Sequence, residues 1–472
     1  MLVARKHERQ TLRSTLDDEY SQFVAVYGRR RVGKTFLVRE SFDYSFTFQH
    51  AGLANAPLKD QLFAFTASLK DAGLLNFDQP KNWLQAFELL KDLIRQSPSP
   101  KKVIFIDELS WMDTPKSNLM VALESFWNGW ASARKDIVLI VCASATSWMI
   151  EKVVHNKGGL YNRLTKQIAL RPFTLAECEE YVRANGLAMS RDHILQTYMV
   201  LGGIPFYWGF LRKELGPTQN IDALFFEEGA PLADEFGYLY ASLFKNPEGY
   251  VKIVEALATK KCGMSRSEIV AATGTESSGK LSRQLDELES CGFIRSYRSF
   301  GHKSRDIVYQ LIDNFTLFYY QFMVRKPTDR AFWTNRLNSP ARNAWSGLAF
   351  ERVCLQHADQ IKRALGISGM QTDVQAWSCK ADPDRGVSGS QIDLIVVRKD
   401  QVINICEMKY ATLPYSITKQ IDQSLKEKLN DFAVVTKTRS ALHLAMVTPF
   451  GLNPNAYSGN VQSTVTADDL FA

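Results

Sequence analysis

The sequence predicts an α/β protein whose first domain is a parallel sheet flanked by helices. Three observations lead to this prediction. An apolar strand at residues 23–27 runs directly into Gly28-Arg29-Arg30-Arg31-Val32-Gly33-Lys34-Thr35. Two further apolar runs, residues 103–106 and 137–142, are typical of strands that are buried on both faces of a parallel sheet. Polar residues follow each run, and the carboxyl ends of such strands are where ligands bind.

The glycine-rich stretch has the spacing of a phosphate-binding loop. Gly28 and Gly33 let the backbone curl so that successive N–H groups point at phosphate oxygens, and the following helix adds the positive end of its dipole. Lys34 is expected to neutralise the β and γ phosphates, and Thr35 to ligate Mg²⁺. The whole loop, including Arg29, is therefore predicted to contact a nucleoside triphosphate. A glycine turn with a chance lysine explains neither the threonine nor the preceding strand.

Two acids, Asp107 and Glu108, follow the second apolar run. At the carboxyl end of a parallel strand they would lie beside the phosphate loop. Asp107 is expected to hold Mg²⁺ through water, and Glu108 to orient or deprotonate the attacking water. The alternative is a strand that simply ends in solvated acids.

The third apolar run is followed by Ala143-Ser144-Ala145-Thr146-Ser147. Ser144 and Thr146 are candidates for sensing a γ-phosphate, although hydroxyls at a strand end also cap the next helix. Arg163, just before the predicted strand 166–170, is a candidate arginine finger acting on its own subunit or on a neighbour. The alternative is an ordinary surface arginine.

The spacing of apolar residues predicts the remaining elements of the first domain, residues 1–172. An amphipathic helix is expected within residues 5–20, and helices at 57–73, 82–96 and 116–133. Residues 44–49 alternate as in a strand.

Composition and charge limit the classes of protein to which this chain can belong. The 472 residues are 45% hydrophobic and 23% charged, as in globular proteins, and the net charge of +7 permits a nucleic-acid partner without requiring one. Seven scattered cysteines show neither metal-binding nor disulfide spacing, which favours a reducing compartment. With no signal-peptide core and no apolar run long enough to span a bilayer, we expect a cytoplasmic protein without a membrane partner.

Residues 173–246 are predicted to form a helical lid. Thr174 and Glu177 have the spacing of a capping box. Within the lid, the segment Gly202-Gly203-Ile204-Pro205 interrupts the helical periodicity and predicts a tight turn.

Taken together, the strings GRRRVGKT, VIFIDE, LYNRLT and GGIP resemble the archaeal-type ATPase family, which is related to the AAA and STAND ATPases. This resemblance implies that the GGIP turn helps to hold the nucleotide base, so Pro205 is carried over as a nucleotide contact. Family members usually have glycine at the position of Ala143, where this chain departs from the pattern.

Residues 247–325 are predicted to form a winged helix-turn-helix. Three helical patterns are followed by two strand patterns, 293–297 and 306–311, joined by a basic loop. If the module binds DNA, the third helix presents its contacts to the major groove and the loop presents its cations to phosphates. These residues are Ser278, Lys280, Ser282 and Arg283 in the helix, and Arg298, Lys303 and Arg305 in the loop. The alternative is a module that contacts protein.

Residues 326–472 carry acidic and basic residues on predicted strands. Asp393 lies in one apolar strand, and Glu407 and Lys409 lie two apart in the next, so the pair predicts a hairpin with Glu407 and Lys409 on one face. Asp393 and Glu407 could share Mg²⁺ or Mn²⁺, while Lys409 positions a nucleophile. Such a grouping suits phosphodiester hydrolysis.

The order Glu351, Asp393, Glu407-x-Lys409 resembles the PD-(D/E)XK nuclease superfamily, which implies a restriction-endonuclease-like α/β fold. The strings QIDLI and ICEMKY are also similar to a domain that is fused to archaeal-type ATPases. Catalytic roles for Asp393, Glu407 and Lys409 are implied by the superfamily, with Glu351 as a further metal ligand and Gln420 as an assisting residue. The alternative is a domain of this fold that no longer cleaves.

The sequence therefore leads to two functional hypotheses. In the first, a P-loop ATPase switches a DNA- or RNA-directed module that cleaves its substrate. In the second, a regulatory ATPase controls assembly, including homo-oligomerisation, and the other domains only bind DNA or protein.

Overall fold

The computed structural model describes residues 2–244, 246–301 and 307–472. The chain divides into two compact units, Met1–Pro172 and Phe173–Ala472. Every helix in the described ranges is too short or too polar to cross a membrane.

The first unit is built on a five-stranded parallel sheet in the order β2-β3-β4-β1-β5. The strands are β1 (Gln22–Tyr27), β2 (Phe48–Ala51), β3 (Lys102–Asp107), β4 (Ile137–Ala143) and β5 (Lys166–Ala169). All seven residues of β4 are buried, as the continuous apolar run predicted for a central strand. The α/β class and the parallel sheet are thus confirmed for this unit.

Seven α-helices in the described residues of this unit accompany the sheet. They are α1 (Lys6–Arg13), α2 (Lys34–Ser41), α3 (Leu58–Asp71), α4 (Trp83–Gln96), α5 (Leu109–Met112), α6 (Leu119–Gly129) and α7 (Thr146–Met149). The apolar faces of α3, α4, α5, α6 and α7 join the strands in a core rich in aromatic rings, such as Phe23 against Trp127 at 5.0 Å between centroids. The helices predicted at 57–73 and 82–96 correspond to α3 and α4.

The strand predicted at residues 44–49 is wrong over its first half. Asp43 and Tyr44 have φ angles of 49° and 59°, in the left-handed region, so the chain turns there instead of extending. Strand β2 begins at Phe48, where the chain comes alongside β3.

The second unit begins with five helices, α8 (Leu175–Ala184), α9 (Arg191–Leu201), α10 (Pro205–Trp208), α11 (Pro217–Phe225) and α12 (Glu235–Leu243). The capping box predicted before α8 is present, since the Glu177 N–H donates to the Thr174 hydroxyl at 3.2 Å and the Thr174 N–H donates to the Glu177 carboxylate at 2.8 Å. The predicted tight turn lies between α9 and α10, where Gly203 packs directly against the Phe173 backbone.

Three helices and a small antiparallel sheet follow. The elements are α13 (Glu248–Ala258), β6 (Met264–Ser265), α14 (Arg266–Thr273), α15 (Gly279–Ser290), β7 (Ile294–Arg298) and β8 (Ile307–Leu311), with the strands in the order β6-β8-β7. Leu281, Leu285 and Leu288 are buried on one face of α15, as their spacing predicted. Lys303 and Arg305 of the predicted basic loop lie outside the described residues.

The rest of the second unit contains a mixed five-stranded sheet in the order β13-β12-β11-β10-β9. Its strands are β9 (Thr372–Ser378), β10 (Gln391–Arg398), β11 (Val402–Met408), β12 (Ala441–Val447) and β13 (Ser463–Val465). The accompanying helices are α16 (Asn314–Phe318), α17 (Pro340–Gln356), α18 (Ala358–Ala364), α19 (Lys419–Thr436) and α20 (Ala467–Leu470). The predicted hairpin is confirmed, because β10 and β11 pair antiparallel, whereas β11 and β12 pair parallel.

The segment after β7 joins the edge of this mixed sheet. Ser299 forms a parallel bridge with Ala376 of β9, and the Phe300 N–H donates to the Ala376 carbonyl at 2.9 Å. The Phe300 ring packs on Phe432 of α19 at 5.0 Å between centroids. The small antiparallel sheet and the mixed sheet are therefore physically joined.

We predict that Asp222→Asn will loosen the second unit. The buried Asp222 carboxylate accepts hydrogen bonds from the N–H groups of Trp333 (2.7 Å) and Thr334 (3.0 Å) and from the Thr334 hydroxyl (2.6 Å). An amide replaces one acceptor with a donor that faces donors, at a cost of about 2–3 kcal/mol. Hydrogen exchange of peptides covering 217–225 and 333–336 should accelerate.

The matched control is Asp359→Asn, because the Asp359 side chain is 83% exposed. It should leave exchange in both peptides unchanged. Equal protection in the two variants would contradict a structural role for Asp222.

Candidate active site

The loop between β1 and α2 owes its shape to backbone conformations that favour glycine. Gly28 has φ 148° and Gly33 has φ 91°, while Arg31 takes φ 73° between them. A Cβ atom on Gly28 would lie 2.2 Å from the Leu170 carbonyl oxygen. Only glycine therefore lets the loop pass this close to the end of β5.

Lys34 opens α2 and folds back over the loop. Its ammonium donates to the carbonyl oxygens of Gly28 at 2.9 Å and Arg29 at 3.1 Å, and the side chain is buried. The positive charge thus lies inside the curl of the loop, where phosphate oxygens would be expected. The loop residues from Gly28 to Thr35 occupy the arrangement that the sequence predicted, and their contacts with a nucleotide stay a prediction.

Thr35 and Asp107 meet at the carboxyl edge of the sheet. The Thr35 hydroxyl donates to the Asp107 carboxylate at 2.6 Å, and the other carboxylate oxygen accepts the Glu108 N–H at 3.0 Å. Burial raises the pKa of Asp107, and the hydrogen bond from Thr35 opposes this rise. A hydroxyl and a carboxylate oxygen are ligands that suit Mg²⁺, which usually takes its other ligands from phosphates and water.

Glu108 is held by the end of the neighbouring strand. Its backbone has φ 47°, and its carboxylate accepts hydrogen bonds from the Ser144 hydroxyl and, at 3.0 Å, from the Ser144 N–H. Ser144 thus contacts the predicted catalytic acid, and α7 begins without a side-chain cap. Thr146 instead approaches the Ser144 carbonyl at 3.5 Å.

Two further predicted residues lie outside the contacts described above. The Arg163 side chain is exposed and forms no hydrogen bond or ion pair with Lys34, Asp107 or Glu108. Pro205 begins α10 and belongs to the second unit. Their predicted roles, as arginine finger and nucleotide contact, stay predictions.

In the second unit, the hairpin of β10 and β11 places Asp393 and Glu407 opposite each other on neighbouring strands. Leu394 pairs with Cys406, so the preceding Asp393 lies across from Glu407 on the adjacent strand. The Asp393 carboxylate accepts a hydrogen bond from the Gln391 amide at 2.7 Å.

Glu407 is buried between two lysines. Its carboxylate oxygens lie 2.8 Å from the Lys409 ammonium and 2.7 Å from the Lys428 ammonium. Burial alone would raise the pKa of Glu407, but the two lysines hold that pKa below its ordinary value. Lys428, on α19, was missed by sequence reasoning, because nothing in the spacing of that helix distinguishes it from its solvated neighbours.

Glu351, on α17, is electrostatically linked to the same cluster. Burial first, and the nearby Asp393 charge second, raise the pKa of Glu351 to about 7, while Lys409 opposes the rise. Glu351 thus interacts electrostatically with Asp393 and Lys409, and its predicted role as a metal ligand is considered next. Gln420 is exposed on the first turn of α19.

The predicted set of three metal-binding carboxylates, Glu351, Asp393 and Glu407, needs correction. In the described part of the chain, no three His, Cys, Asp or Glu side chains are grouped closely enough to bind one metal ion. In addition, both oxygens of Glu407 are engaged by lysines. Asp393 and Glu407 remain the pair with suitable chemistry.

On α15, Lys280 and Arg283 are exposed, whereas Ser278 and Ser282 are half-buried. The Ser278 carbonyl accepts a hydrogen bond from Arg266 at 2.8 Å. Arg298 is exposed at the end of β7. The surface of this module therefore presents the predicted cations of the helix to solvent.

A comparison with protein families agrees with the loop from Gly28 to Thr35, the acids Asp107 and Glu108, and the parallel sheet. Residues 2–208 match the family described as an ATPase domain predominantly from Archaea. This chain carries an archaeal-type ATPase domain. The match to that ATPase domain extends beyond the first unit and includes the turn at Pro205.

Longer similarities extend over most of the chain. An uncharacterized protein of Methanocaldococcus jannaschii is 24% identical over 441 residues, which cover 91% of this chain and 92% of that protein. Among solved structures, a Walker-type ATPase of Pyrococcus abyssi is 17% identical with a TM-score of 0.46, covering 68% of this chain and 96% of that chain. The ORC2 protein of Aeropyrum pernix, in its ADPNP-ADP complexes, is 14% identical with a TM-score of 0.39, covering 76% and 95%.

We predict that Gly28→Ala will destabilise the ATPase domain. The added Cβ overlaps the Leu170 carbonyl, and shifting that backbone costs about 1–3 kcal/mol. The thermal unfolding midpoint of the protein should fall. Gly129→Ala, at a helical position with open space around the added methyl, is the control and should not lower the midpoint. A normal midpoint for Gly28→Ala would show that the loop does not need to pass so close to β5.

Proposed function

We propose that the chain binds ATP with Mg²⁺ at the loop from Gly28 to Thr35, hydrolyses it, and uses the nucleotide state to control a nucleic-acid-directed second unit. The observation that carries the ATPase part is the series of contacts from Thr35 to Asp107, from Asp107 to the Glu108 backbone, and from Glu108 to Ser144. These contacts connect helix α2, which follows the loop, with the ends of β3 and β4 at one edge of the sheet.

Each residue of this series has a defined role in the proposed reaction. Lys34 neutralises charge on the terminal phosphates, and Thr35 and Asp107 hold Mg²⁺, which spreads the charge that develops on the transferred phosphoryl group. Glu108 accepts the proton of the attacking water. Ser144 is a positioning residue, because it fixes the Glu108 carboxylate.

Arg163 is proposed as the residue that stabilises charge on the departing phosphate. Its exposure leaves it available to its own ATP site or to that of a neighbouring copy. The second case requires a homo-oligomer. Pro205 is proposed to contact the base from the GGIP turn.

We predict that Lys34→Ala will weaken ATP binding at least tenfold, because a charge-assisted contact with phosphate is lost. Glu108→Gln should keep ATP binding and slow turnover about 100-fold, since the amide cannot accept the proton. Nucleotide binding by fluorescence and phosphate release report the two effects separately.

The controls are Lys59→Ala and Glu151→Gln, which make the same chemical changes at exposed positions of the first unit. Both should behave as the unmodified protein. If the Lys34→Ala and Glu108→Gln variants each hydrolyse ATP at the normal rate, the assigned ATP site is wrong.

For the second unit, we propose Mg²⁺- or Mn²⁺-dependent cleavage of DNA or RNA. One line of support is the placement of side chains, with Asp393 opposite Glu407 and Lys409 beside Glu407. The other is the order of elements, in which helix α17 is followed by three antiparallel strands, helix α19 and a parallel strand. Asp393 and Glu407 would hold the metal, whose chemistry is to acidify water and to stabilise charge on phosphate. Lys428 would have to release Glu407 when metal binds.

The small antiparallel sheet with α13, α14 and α15 is proposed to be a winged helix that contacts nucleic acid. Exposed Lys280, Arg283 and Arg298 are suitable partners for phosphates.

We predict that the full chain with Mn²⁺ or Mg²⁺ will cut nucleic acid, and that Glu407→Gln and Lys409→Ala will each abolish cleavage. Single- and double-stranded DNA and RNA should be tested with and without ATP, with products separated on denaturing gels. Lys426→Ala is the control, because Lys426 is an exposed neighbour on α19 that pairs with Asp422. If the Glu407→Gln and Lys409→Ala variants both still cleave nucleic acid, the cleavage does not depend on this site.

A second candidate is a regulatory ATPase whose second unit binds DNA or protein without cleavage. The observation in its favour is that both Glu407 oxygens are engaged by lysines. This alternative stands if no nucleic acid is cut with either metal while Lys280→Ala and Arg283→Ala still weaken DNA binding. The ATPase proposal is unaffected by that outcome.

A further inference from the structure

The loop that joins α13 to β6 is held by side chains from two directions. The Lys261 carbonyl accepts a hydrogen bond from the Gln310 amide of β8 at 2.7 Å and another from the Arg352 guanidinium of α17 at 2.5 Å. The next carbonyl, that of Cys262, accepts a hydrogen bond from the Tyr297 hydroxyl of β7. The backbone of Lys261 is therefore fixed between the small antiparallel sheet and α17.

Arg352 connects this loop to the helix that carries Glu351. It follows Glu351 directly on α17, is 1% exposed, and also donates to the Leu311 carbonyl at the end of β8 at 3.0 Å. The Lys261 backbone is thus one hydrogen bond away from the residue that follows Glu351.

Arg295 makes a second connection, to the strand that carries Asp393. Its guanidinium donates to the Gln310 side-chain oxygen at 2.7 Å and to the Asp393 carbonyl at 3.4 Å. Gln310 therefore contacts both Arg295 and the Lys261 carbonyl. A continuous series of hydrogen bonds runs from the Asp393 backbone to the Lys261 backbone.

The Lys261 side chain itself is exposed. Its ammonium forms no ion pair with any carboxylate in the described parts of the chain, whereas the ammonium of the preceding Lys260 pairs with Glu268 at 2.6 Å. Burial raises the pKa of Glu351, and the Lys261 charge is one of those that oppose this rise. Lys261 is thus an exposed cation that is held near Glu351 by its own backbone.

Positive charge exceeds negative charge around Glu351, Asp393 and Glu407. Among the described residues, the cations that interact with one or more of these three carboxylates are Lys261, Arg295, Arg352, Lys409 and Lys428. Such a surplus attracts polyanions. A phosphodiester backbone is a ligand of this kind.

We propose that Lys261 binds a backbone phosphate of the nucleic acid on which the second unit acts, beside Asp393 and Glu407. This inference rests on the proposed nucleic-acid function of the second unit. A loop that is already fixed by hydrogen bonds does not have to be ordered when the phosphate binds. Because the contact is with phosphate, it is the same for every base sequence.

The experiment measures binding of the full chain to a fluorescein-labelled DNA duplex and to a labelled single-stranded RNA by fluorescence anisotropy. EDTA is present so that the probes are not cut, and the salt concentration is varied from about 50 to about 200 mM. Lys261→Ala should weaken binding of at least one probe about three- to tenfold and lower the slope of log affinity against log salt by about one. Lys261→Arg keeps the charge and should restore both values.

Lys260→Ala is the matched control, because it removes the same charge from the neighbouring residue, whose ammonium is already paired with Glu268. It should leave affinity and slope unchanged. The bonds that hold the loop are made by the Lys261 carbonyl, so Lys261→Ala should keep the thermal unfolding midpoint of the unmodified protein.

The inference is overturned if Lys261→Ala binds both probes with the affinity and salt slope of the unmodified chain. It is equally overturned if Lys260→Ala weakens binding as much, since the effect would then come from net charge alone. If the unmodified chain binds neither probe, this inference and the nucleic-acid function fail together. If Lys261→Ala lowers affinity and slope while the gel assay shows no cleavage, the cleavage proposal fails and the phosphate contact stands.

Discussion

One hydrogen-bond relay determines the architecture of the first unit's active site. Thr35 binds Asp107, the same carboxylate accepts the Glu108 N–H, and the Glu108 side chain reaches Ser144. The relay exists because β1, β3 and β4 end at one edge of a parallel sheet, so residues distant in sequence become neighbours. A change of register in any of these strands would separate the groups for which we propose a common role at one phosphate.

Much of this site could be predicted from local sequence. The loop from Gly28 to Thr35 has fixed spacing because the backbone has to curl around phosphate, and Asp107 and Glu108 end an apolar run that only a central strand would contain. The hairpin that carries Asp393 and Glu407 was also predictable, because two apolar runs that are joined by a short turn usually pair with each other. The strand at residues 44–49 was misjudged because alternation does not reveal the left-handed turn at Asp43 and Tyr44.

Other features depend on contacts between residues far apart in the chain. Lys428 lies on a helix with many polar residues, and only folding brings it to Glu407. Its presence changes the electrostatics of the predicted metal pair, because two cations compete with any metal for one carboxylate.

The junction at Ser299 and Phe300 bears on how the second unit could be dissected. A strand edge at β9 is covered by this segment, and the Phe300 ring is inserted beside Phe432 and Trp377. Cutting the chain between the small antiparallel sheet and the mixed sheet would leave unpaired backbone groups next to an apolar groove, which is a typical starting point for aggregation. An isolated C-terminal fragment that lacks Ser299 and Phe300 would therefore lose contacts that the intact second unit has.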